Sequence, residues 1–475
     1  MSGSGLPPAG VLGRPVDLDL SRAWLVDPAS GRQGPGEIVV RAGVVEAVTW
    51  LDGAAADGID DQGIVVTPGF LDLHAHLREP GDAAAETIAS GLAAAAHGGF
   101  TSVCAMANTE PPIDTAAAVL AAAVAAAASG SPVRLLVHGA VTAGRGGERL
   151  AALGEMADAG VAGFSDDGAP VAAATLLRSA LAYAGALGIP VVEHPEDPSS
   201  TAGAEASEGL IATVLGLRAW PGSAEETAVA RDLAILRDVV RDVPSARLHL
   251  THLSTAPALD LVRRAKAEGL PVTCDVTPHH VALSDEWVAG ARRFAWQALD
   301  GEGRRRDPWR DAALDAAPFD TATRVNPPLR SPEDAAACLA ALVDGTVDAV
   351  ATDHAPHGEV DKAVEFGLAA NGISGIETAL GLLLAAVDAG RLSLLRAIEA
   401  LTVGPARVVA GGPARPGLLE GQPADLVVFD RAERWAVGPD SLLSRGRNTP
   451  LLGRELAGRV LLTVAGGRLA YEAAG

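Results

Sequence analysis

Two histidines separated by a single residue, His74 and His76, end an apolar run and form the first candidate site. Alternate side chains of an extended strand point to the same side, so both imidazoles would face one space. Neutral imidazole is a common ligand of zinc and of other transition metals. The pair therefore predicts a metal site, although an H-x-H motif on its own is a weak indication.

Further ligand types follow other short apolar runs. Asp167, His194, His252 and Asp353 each stand at the end of such a run. Imidazole and carboxylate ligands suit zinc, and one carboxylate can bridge two ions. Because five run ends carry ligand types, the sequence predicts a centre for one or two zinc ions. The residues alone leave open whether Asp166 or Asp167 faces the ions.

Another histidine, His249, lies three residues before His252, so on a regular strand the two side chains face opposite ways. His252 is nearer the end of its run and is the better candidate ligand. His97 precedes two glycines at a predicted helix end, where the helix dipole favours a cation. Structural roles are also predicted for three further histidines, with a place behind the ligands as the alternative for the last two: His138, His279 and His280.

The spacing of the apolar runs predicts the frame that positions these residues. Eight β-branched runs alternate with alanine-rich helical stretches, at residues 69–76, 100–108, 133–141, 161–167, 190–194, 247–252, 271–277 and 346–353. This rhythm implies a parallel sheet, and eight strands match a closed (β/α)8 TIM-type barrel of the α/β class. Active sites of such barrels lie at the C-terminal ends of the strands, where the candidate ligands fall.

Alternating apolar and polar positions at both ends of the chain predict a second domain. Residues 14–67, 424–430 and 458–472 have the pattern of antiparallel strands and hairpins. We expect residues 1–67 and 410–475 to form one small β-sandwich domain, and residues 68–409 to form the barrel. A stretch at about 287–323 is longer than an ordinary connection and is predicted to be an insertion, either decorative or functional.

Composition narrows the possible partners and compartments. The chain has 475 residues and a net charge of −22, which disfavours nucleic acid and anionic membranes as partners. Its longest apolar segment, 116–128, is too short to span a bilayer, and residues 1–10 lack a secretory signal. The protein is therefore expected in the cytoplasm. Three widely spaced cysteines are predicted to be reduced core thiols: Cys104, Cys274 and Cys338.

Ten motifs run in order along nearly the whole chain: PGFLDLHAHLREPG, GGFTSVCAMANTEPP, GFSDDG, VVEHPED, LTHLST, TPHH, VNPPLRSPED, ATDHAPH, GISGIETAL and RNTPLLGRELAGRV. They are very similar to the motifs of the dihydroorotases of the amidohydrolase superfamily. The resemblance implies that His74, His76 and Asp353 bind one zinc ion. It also implies that His194 and His252 bind the other.

The resemblance bears on the group that bridges the ions. Many relatives carry a carboxylated lysine on the fourth barrel strand, which corresponds to the run 161–167. The two lysines of this chain, Lys266 and Lys362, lie elsewhere. The chain resembles instead a class of bacterial dihydroorotases that has an aspartate at this place. Alignment with that class favours Asp167 over Asp166.

The substrates of the family are anions, and Arg78 is predicted to form a bidentate pair with the ring carboxylate. The resemblance assigns further substrate contacts to side chains at His76, Asn108, Asn326 and His357, and to the backbone at Asn371 and Gly372. The chain departs from the usual motifs in two places where proline is common, at Ala107 and Asn371. The second departure lies in the segment whose backbone is assigned to the substrate contact.

The resemblance implies a zinc-dependent dihydroorotase, which closes N-carbamoyl-L-aspartate to L-dihydroorotate in pyrimidine (UMP) synthesis and also opens the ring. Zinc would activate water and polarise the ring carbonyl, and Asp353 would move the proton. Two alternatives stay open: a non-catalytic scaffold for aspartate carbamoyltransferase, and a cyclic amidohydrolase of the hydantoinase or dihydropyrimidinase type. A homodimer and a complex with aspartate carbamoyltransferase are also left open.

Overall fold

The computed structural model describes residues 12–310, 315–412 and 416–474. The expectation that the chain begins without a secretory signal concerns residues outside these ranges. Within them, no helix is both long enough and apolar enough to cross a membrane. The three cysteines are buried and form no disulfide with one another, as expected for core thiols.

Helices and strands alternate through the middle of the chain, whereas strands prevail at both ends. The strands are β1 (Leu18–Asp27), β2 (Arg32–Arg41), β3 (Val44–Trp50), β4 (Ile64–Pro68), β5 (Phe70–Ala75), β6 (Phe100–Ala105), β7 (Arg134–Gly139), β8 (Gly163–Phe164), β9 (Val191–Glu193), β10 (Ala206–Ser207), β11 (Ala219–Trp220), β12 (Leu248–Leu250), β13 (Val272–Val276), β14 (Ala349–Val350), β15 (Leu426–Ala436), β16 (Glu455–Ala465) and β17 (Arg468–Glu472). The α-helices are α1 (Ile88–His97), α2 (Ala116–Ser129), α3 (Leu153–Asp158), α4 (Ala174–Ala186), α5 (Pro198–Thr201), α6 (Leu210–Leu215), α7 (Ser223–Val239), α8 (Ala256–Ala267), α9 (Pro278–Ala282), α10 (Pro332–Asp344), α11 (Glu359–Lys362), α12 (Ala379–Asp388), α13 (Leu394–Leu401) and α14 (Val403–Ala406).

In the described part of the chain, eight parallel strands form the barrel in the order β5, β6, β7, β8, β9, β12, β13 and β14. The circle closes just beyond β14, where Ala75 and His354 form a parallel bridge and the His76 N–H donates to the His354 carbonyl at 2.8 Å. All eight strands fall within the predicted runs. The (β/α)8 prediction is therefore confirmed.

A second sheet combines strands from both ends of the chain, in the order β17, β16, β15, β4, β1, β2 and β3 within the described residues. Its pairings are antiparallel except for β1 with β4, which are parallel. The sheet curls until its ends meet: the Val16 N–H donates to the Gly467 carbonyl, and Gly43 lies so close to Gly467 that a Cβ on either would collide with the other. The predicted β-sandwich from both termini is thus one curled sheet.

The two faces of the curled sheet have different partners. Leu25, Ile38 and Leu462 point into a core of the sheet's own. Val65 and Phe429 point the other way and join the core of the barrel. This shared core holds the sheet against the barrel. The proposed domain boundaries at 67/68 and 409/410 stay predictions.

The described part of the predicted insertion is folded onto the barrel and makes partly buried ion pairs with the residues just before it. Trp287 is fully buried in its first turn. Arg293 pairs with Glu286 at 2.7 Å, and Arg305 pairs with Asp285 at 2.6 Å and with Glu286 at 3.1 Å. These contacts give the described part of the insertion a defined place beside the mouth of the barrel.

Candidate metal centre and substrate pocket

The predicted ligands meet at the C-terminal end of the barrel. His74 lies in β5, and the other five follow strand ends: His76, Asp167, His194, His252 and Asp353. All six side chains are buried. A pocket of about 200 Å³ opens over them and is lined by His76, Arg78, Asn108, Asp167, Gly168, His194, His252, Asn326, Asp353, Ala355, His357, Asn371 and Gly372. Each predicted substrate contact therefore lies at this pocket.

Three donor atoms form the first part of the centre. His76 Nε2 lies 3.0 Å from Asp353 Oδ1 and 3.2 Å from His74 Nε2. His74 Nε2 is 3.5 Å from the same carboxylate oxygen. One small space is therefore surrounded by two imidazole nitrogens and a carboxylate.

The second part is joined to the first by Asp167. His194 Nδ1 and His252 Nε2 lie 2.8 Å apart, and Asp167 Oδ1 lies 3.3 Å and 3.4 Å from them. The other oxygen, Oδ2, lies 3.3 Å from His74 Nε2. Asp167 therefore directs one oxygen to each part of the centre, which is the arrangement that a bridging ligand needs.

Asp166 points elsewhere, and this settles its orientation. One carboxylate oxygen accepts the Val141 N–H at 2.8 Å and the Thr142 N–H at 3.1 Å, and the Thr142 hydroxyl donates to the other oxygen. The Asp166 carboxylate thus ties the loop after β7 to the turn after β8. Asp167 is left as the carboxylate of this turn that faces the cluster.

The electrostatics of the cluster fit a bound cation. Burial alone would lower the pKa of His74, but Asp167 and Asp353 raise it to about 9. Burial likewise opposes charge on His194, and the hydrogen bonds to Asp167 and Glu196 raise its pKa to about 10. Buried carboxylates need a compensating positive charge. Without a metal, protons on the histidines are the means of supplying it, so nitrogen and oxygen donors of this kind fit one or two divalent ions.

The ring nitrogens that face away from the cluster have hydrogen-bond partners. His76 Nδ1 donates to Asn108 Oδ1 at 2.8 Å, and His194 Nε2 donates to Glu196 Oε2 at 2.8 Å. Such partners fix the orientation and tautomer of a metal-binding histidine. Glu196 also accepts the Asn326 amide at 3.0 Å, so it connects a predicted ligand to a predicted substrate contact. Sequence reasoning missed Glu196, although it stands two residues after His194.

Asp275, at the end of β13, supports two other ligands. Its Oδ1 accepts the His252 N–H at 2.7 Å, and its Oδ2 accepts the Thr251 hydroxyl at 3.1 Å. Thr251 Oγ1 in turn accepts a hydrogen bond from His74 Nδ1 at 2.9 Å. Asp275 was also missed, and its position at a strand end was the available signal.

His249 and His252 do not lie on one regular strand, so the expectation that their side chains face opposite ways does not apply. Strand β12 ends at Leu250, and His252 has a φ of 40°, so the alternation of a regular strand is broken between them. His249 Nε2 donates to Asp275 Oδ2 at 2.8 Å. His249 therefore lies directly behind the cluster, bonded to the carboxylate that supports it.

Arg78 brings positive charge to the rim of the cluster. Its Nε donates to the Pro356 carbonyl at 3.1 Å, and an Nη lies 3.2 Å from His357 Nε2. Burial lowers its pKa, and within the described residues no carboxylate lies in ion-pair range of its guanidinium. A partly buried cation without a paired anion is suited to an anionic ligand.

The backbone at Asn371 and Gly372 already has protein partners. The Asn371 carbonyl accepts from His357 Nε2 at 2.8 Å, and the Gly372 N–H donates to the Arg324 carbonyl at 2.9 Å. Gly372 has a φ of 148°, and a Cβ there would collide with Ala355. These two residues shape the pocket wall, and their direct contact with a substrate stays a prediction.

Comparison of the whole sequence with known proteins leads to the same family as the motifs do. The profile of the amidohydrolase family matches residues 65–470. A dihydroorotase from Anaeromyxobacter dehalogenans is 45% identical over 450 residues, which cover 94% of this chain and 96% of the relative. A dihydroorotase from Pelotomaculum thermopropionicum is 42% identical, with 96% of this chain and 99% of the relative covered.

Solved structures with a similar architecture are more distant in sequence. An L-hydantoinase (dihydropyrimidinase) from Arthrobacter aurescens has a TM-score of 0.75 and 23% identity, with 96% of each chain covered. A D-hydantoinase has a TM-score of 0.74 and 21% identity, with 96% of this chain and 95% of that chain covered. At these identities the likeness shows a shared fold.

Proposed function

The chain belongs to the amidohydrolase family and, through relatives at up to 45% identity over nearly its whole length, to the dihydroorotases, and from this premise we propose how its residues perform the reaction. The activity is that of a cyclic amide hydrolase. Its substrates are L-dihydroorotate in the direction of ring opening and N-carbamoyl-L-aspartate in the direction of ring closure. Ring closure is the direction that serves pyrimidine synthesis.

The observation that carries the substrate assignment is the position of Arg78. It shares one small pocket with the donor cluster, and its guanidinium has no ion-paired carboxylate among the described residues. A ring carboxylate can receive two charge-assisted hydrogen bonds from such a group. The cyclic amide would then lie between Arg78 and the cluster. Asn108, Asn326 and His357 would contact the rest of the substrate.

Zinc is the proposed metal, with one or two ions per chain. His74, His76 and Asp353 would hold one ion, His194 and His252 would hold the other, and Asp167 would bridge them. When bound, the metal makes water nucleophilic at neutral pH and polarises the amide carbonyl. The protein residues orient these ligands: Glu196 fixes the ring of His194, and Asn108 fixes the ring of His76.

Asp353 is the proposed proton carrier. Its Oδ1 is engaged by His76, and no hydrogen bond to its Oδ2 is found within the described residues. Burial opposes ionisation of Asp353, but His74 and His76 outweigh burial and hold its pKa far below the usual range. The carboxylate is therefore ionised, as a group that accepts a proton from water has to be. It would return that proton to the ring nitrogen when the amide bond breaks.

The decisive experiment measures turnover of dihydroorotate and the metal content on one sample of purified chain. Dihydroorotase turnover with bound zinc supports the proposal. Hydrolysis of hydantoin or dihydrouracil in preference to dihydroorotate would favour the neutral-ring alternative, and absence of turnover in a zinc-loaded chain would favour the scaffold. A homodimer, a complex with aspartate carbamoyltransferase and a cytoplasmic location stay predictions.

A further inference from the structure

A second cavity, of about 1030 Å³, adjoins the catalytic pocket and is several times larger. Its walls come from the insertion, from the segment after β14 and from the segment that joins β15 to β16. His357 lines both spaces, so the two are adjacent. The cavity is large enough for an organic ligand much bigger than a dihydropyrimidine ring.

Positive charge is concentrated on the cavity wall. Five cationic side chains line it against three carboxylates, although the chain as a whole has a net charge of −22. Arg292 is neutralised by Asp320 at 2.5 Å. The other cations make no ion pair with a carboxylate of the described residues, and they are Lys362, Arg445, Arg447 and Arg454. This excess predicts an anionic ligand.

The remaining contacts of these cations leave their charge uncompensated. Lys362 donates to three backbone carbonyls, at distances of 2.6 to 3.3 Å. Arg454 lies over the rings of Trp287 and Phe294, at 5.3 Å and 5.0 Å from their centroids. Arg445 donates to the Ala83 carbonyl. Burial lowers the pKa of Lys362 to about 7, so an anion in the cavity would meet chiefly the positive charge of Arg445, Arg447 and Arg454.

Apolar side chains occupy another part of the lining. Pro439, Pro450 and Leu452 contribute to it beside the arginines. An inorganic ion would leave this surface without a partner. The lining therefore suits an organic molecule with a charged end and an apolar body.

The segment that carries the arginines also holds a catalytic loop in place. Asn448 Oδ1 accepts the His357 N–H at 2.9 Å, and its Nδ2 donates to the carbonyls of Ala355 at 3.0 Å and Gly372 at 2.9 Å. Gly446 packs so closely on His357 that a Cβ would collide with the His357 backbone. A ligand that displaces this segment would therefore displace a wall of the catalytic pocket.

We propose that this cavity binds an organic anion bearing phosphate or carboxylate groups, and that its occupancy changes substrate binding through the wall at His357. The arginines of the segment 445–454 hold the charged group, and the apolar residues receive the body. The insertion thus supplies one wall of a ligand site. This inference goes beyond the reaction proposed above, and binding in the cavity does not depend on the identity of the substrate.

The test uses phenyl phosphate as the probe and calorimetry of the metal-loaded protein as the measurement. The double variant Arg445→Gln with Arg447→Gln removes two exposed cations of the cavity. Arg264→Gln, on the distant helix α8, is the control for a change in net charge. Arg78→Met is the control for binding in the catalytic pocket. We expect the double variant to bind phenyl phosphate at least tenfold more weakly, and both controls to bind it as the wild type does.

Turnover of dihydroorotate tests the coupling. Saturating phenyl phosphate should shift KM in the wild type and leave KM unchanged in the double variant, whose kcat without the probe should equal that of the wild type. Probe binding that is lost in Arg78→Met and kept in the double variant would overturn the cavity site, as would no binding at millimolar concentration. Binding in the cavity without any shift in KM would overturn the coupling. Absence of turnover would reject the proposed function and leave the binding result valid.

Discussion

At the scale of single residues, Arg78 is expected to distinguish a substrate ring that bears a carboxylate from a neutral ring. Two charge-assisted hydrogen bonds of about 1.5–3 kcal/mol each would be lost in Arg78→Met. We expect kcat/KM for dihydroorotate to fall by at least a hundredfold, with Arg78→Lys a partial rescue because lysine lacks the planar fork. Zinc content should not change. Equal losses on dihydroorotate and on dihydrouracil would show that Arg78 does not bind the carboxylate.

Asp353 is expected to combine metal binding with proton transfer. Asp353→Asn retains the volume and one oxygen but removes the base, so kcat should fall by at least about 10²-fold. Circular dichroism and the thermal melting curve should show a folded variant. A folded variant with nearly wild-type turnover would assign the proton transfer to another group.

A bridge formed by Asp167 would make the centre independent of carbon dioxide. A carboxylated lysine needs bicarbonate to re-form after metal removal, whereas an aspartate needs none. The chain stripped of metal and reloaded in bicarbonate-free buffer should therefore regain full activity. Asp167→Asn serves as the control, since it should lose metal with or without bicarbonate. A strict bicarbonate requirement in the wild type would contradict the assignment.

At the scale of elements, Asp275 shows how β13 supports ligands carried by β5 and β12. Its two oxygens accept hydrogen bonds from the His252 N–H and from the Thr251 hydroxyl. Thr251 Oγ1 in turn accepts a hydrogen bond from His74 Nδ1. In Asp275→Asn, an amide nitrogen would face one of these donors. We expect zinc affinity to fall 10- to 100-fold, as measured by competition with a chelator. Asp425→Asn, which alters a carboxylate that accepts the Gly466 N–H in the terminal sheet, should retain affinity.

The elements were largely predictable because apolar runs reveal strands, and the residues at strand ends meet in one cluster. The eight barrel strands lie within the predicted runs, and the cluster lies at their ends. Strand alternation does not hold between His249 and His252, because His252 has a left-handed φ, but it is the His252 side chain that lies in the cluster. The parallel pairing of β1 with β4 was also missed, since local periodicity does not reveal which strands meet across the chain.

Side-chain orientation was the part that the residues alone could not decide. Asp166 and Asp167 are adjacent carboxylates in one turn, and they are distinguished by their contacts: Asp166 bonds to the loop after β7, whereas Asp167 faces the histidines. Glu196 was visible in the sequence, but its role depends on contact with Asn326, which lies far along the chain. Contacts between distant segments require the fold.

At the scale of the whole molecule, loss of metal should change how stability depends on pH. In the metal-free chain the pKa of His74 is about 9, against about 6.5 when unfolded. A raised pKa means that the proton stabilises the folded state fully below pH 6.5, and that this contribution is lost as the pH rises through 9. We expect the Tm of the metal-free chain to fall between pH 7 and pH 9.5 more steeply than that of the zinc-loaded chain. Parallel curves would contradict the protonation of His74.

During translation, the curled sheet cannot be completed until the last part of the chain has been synthesised. Strand β4 lies between β1 and β15, so one of its edges has no partner until Leu426 has been made. At about 5–20 residues per second, translation of the intervening barrel takes tens of seconds. An unpaired strand edge invites association with other chains. Translation that stops before β15 would therefore release an open sheet edge, which chaperones and proteases would have to handle, and not a smaller working enzyme.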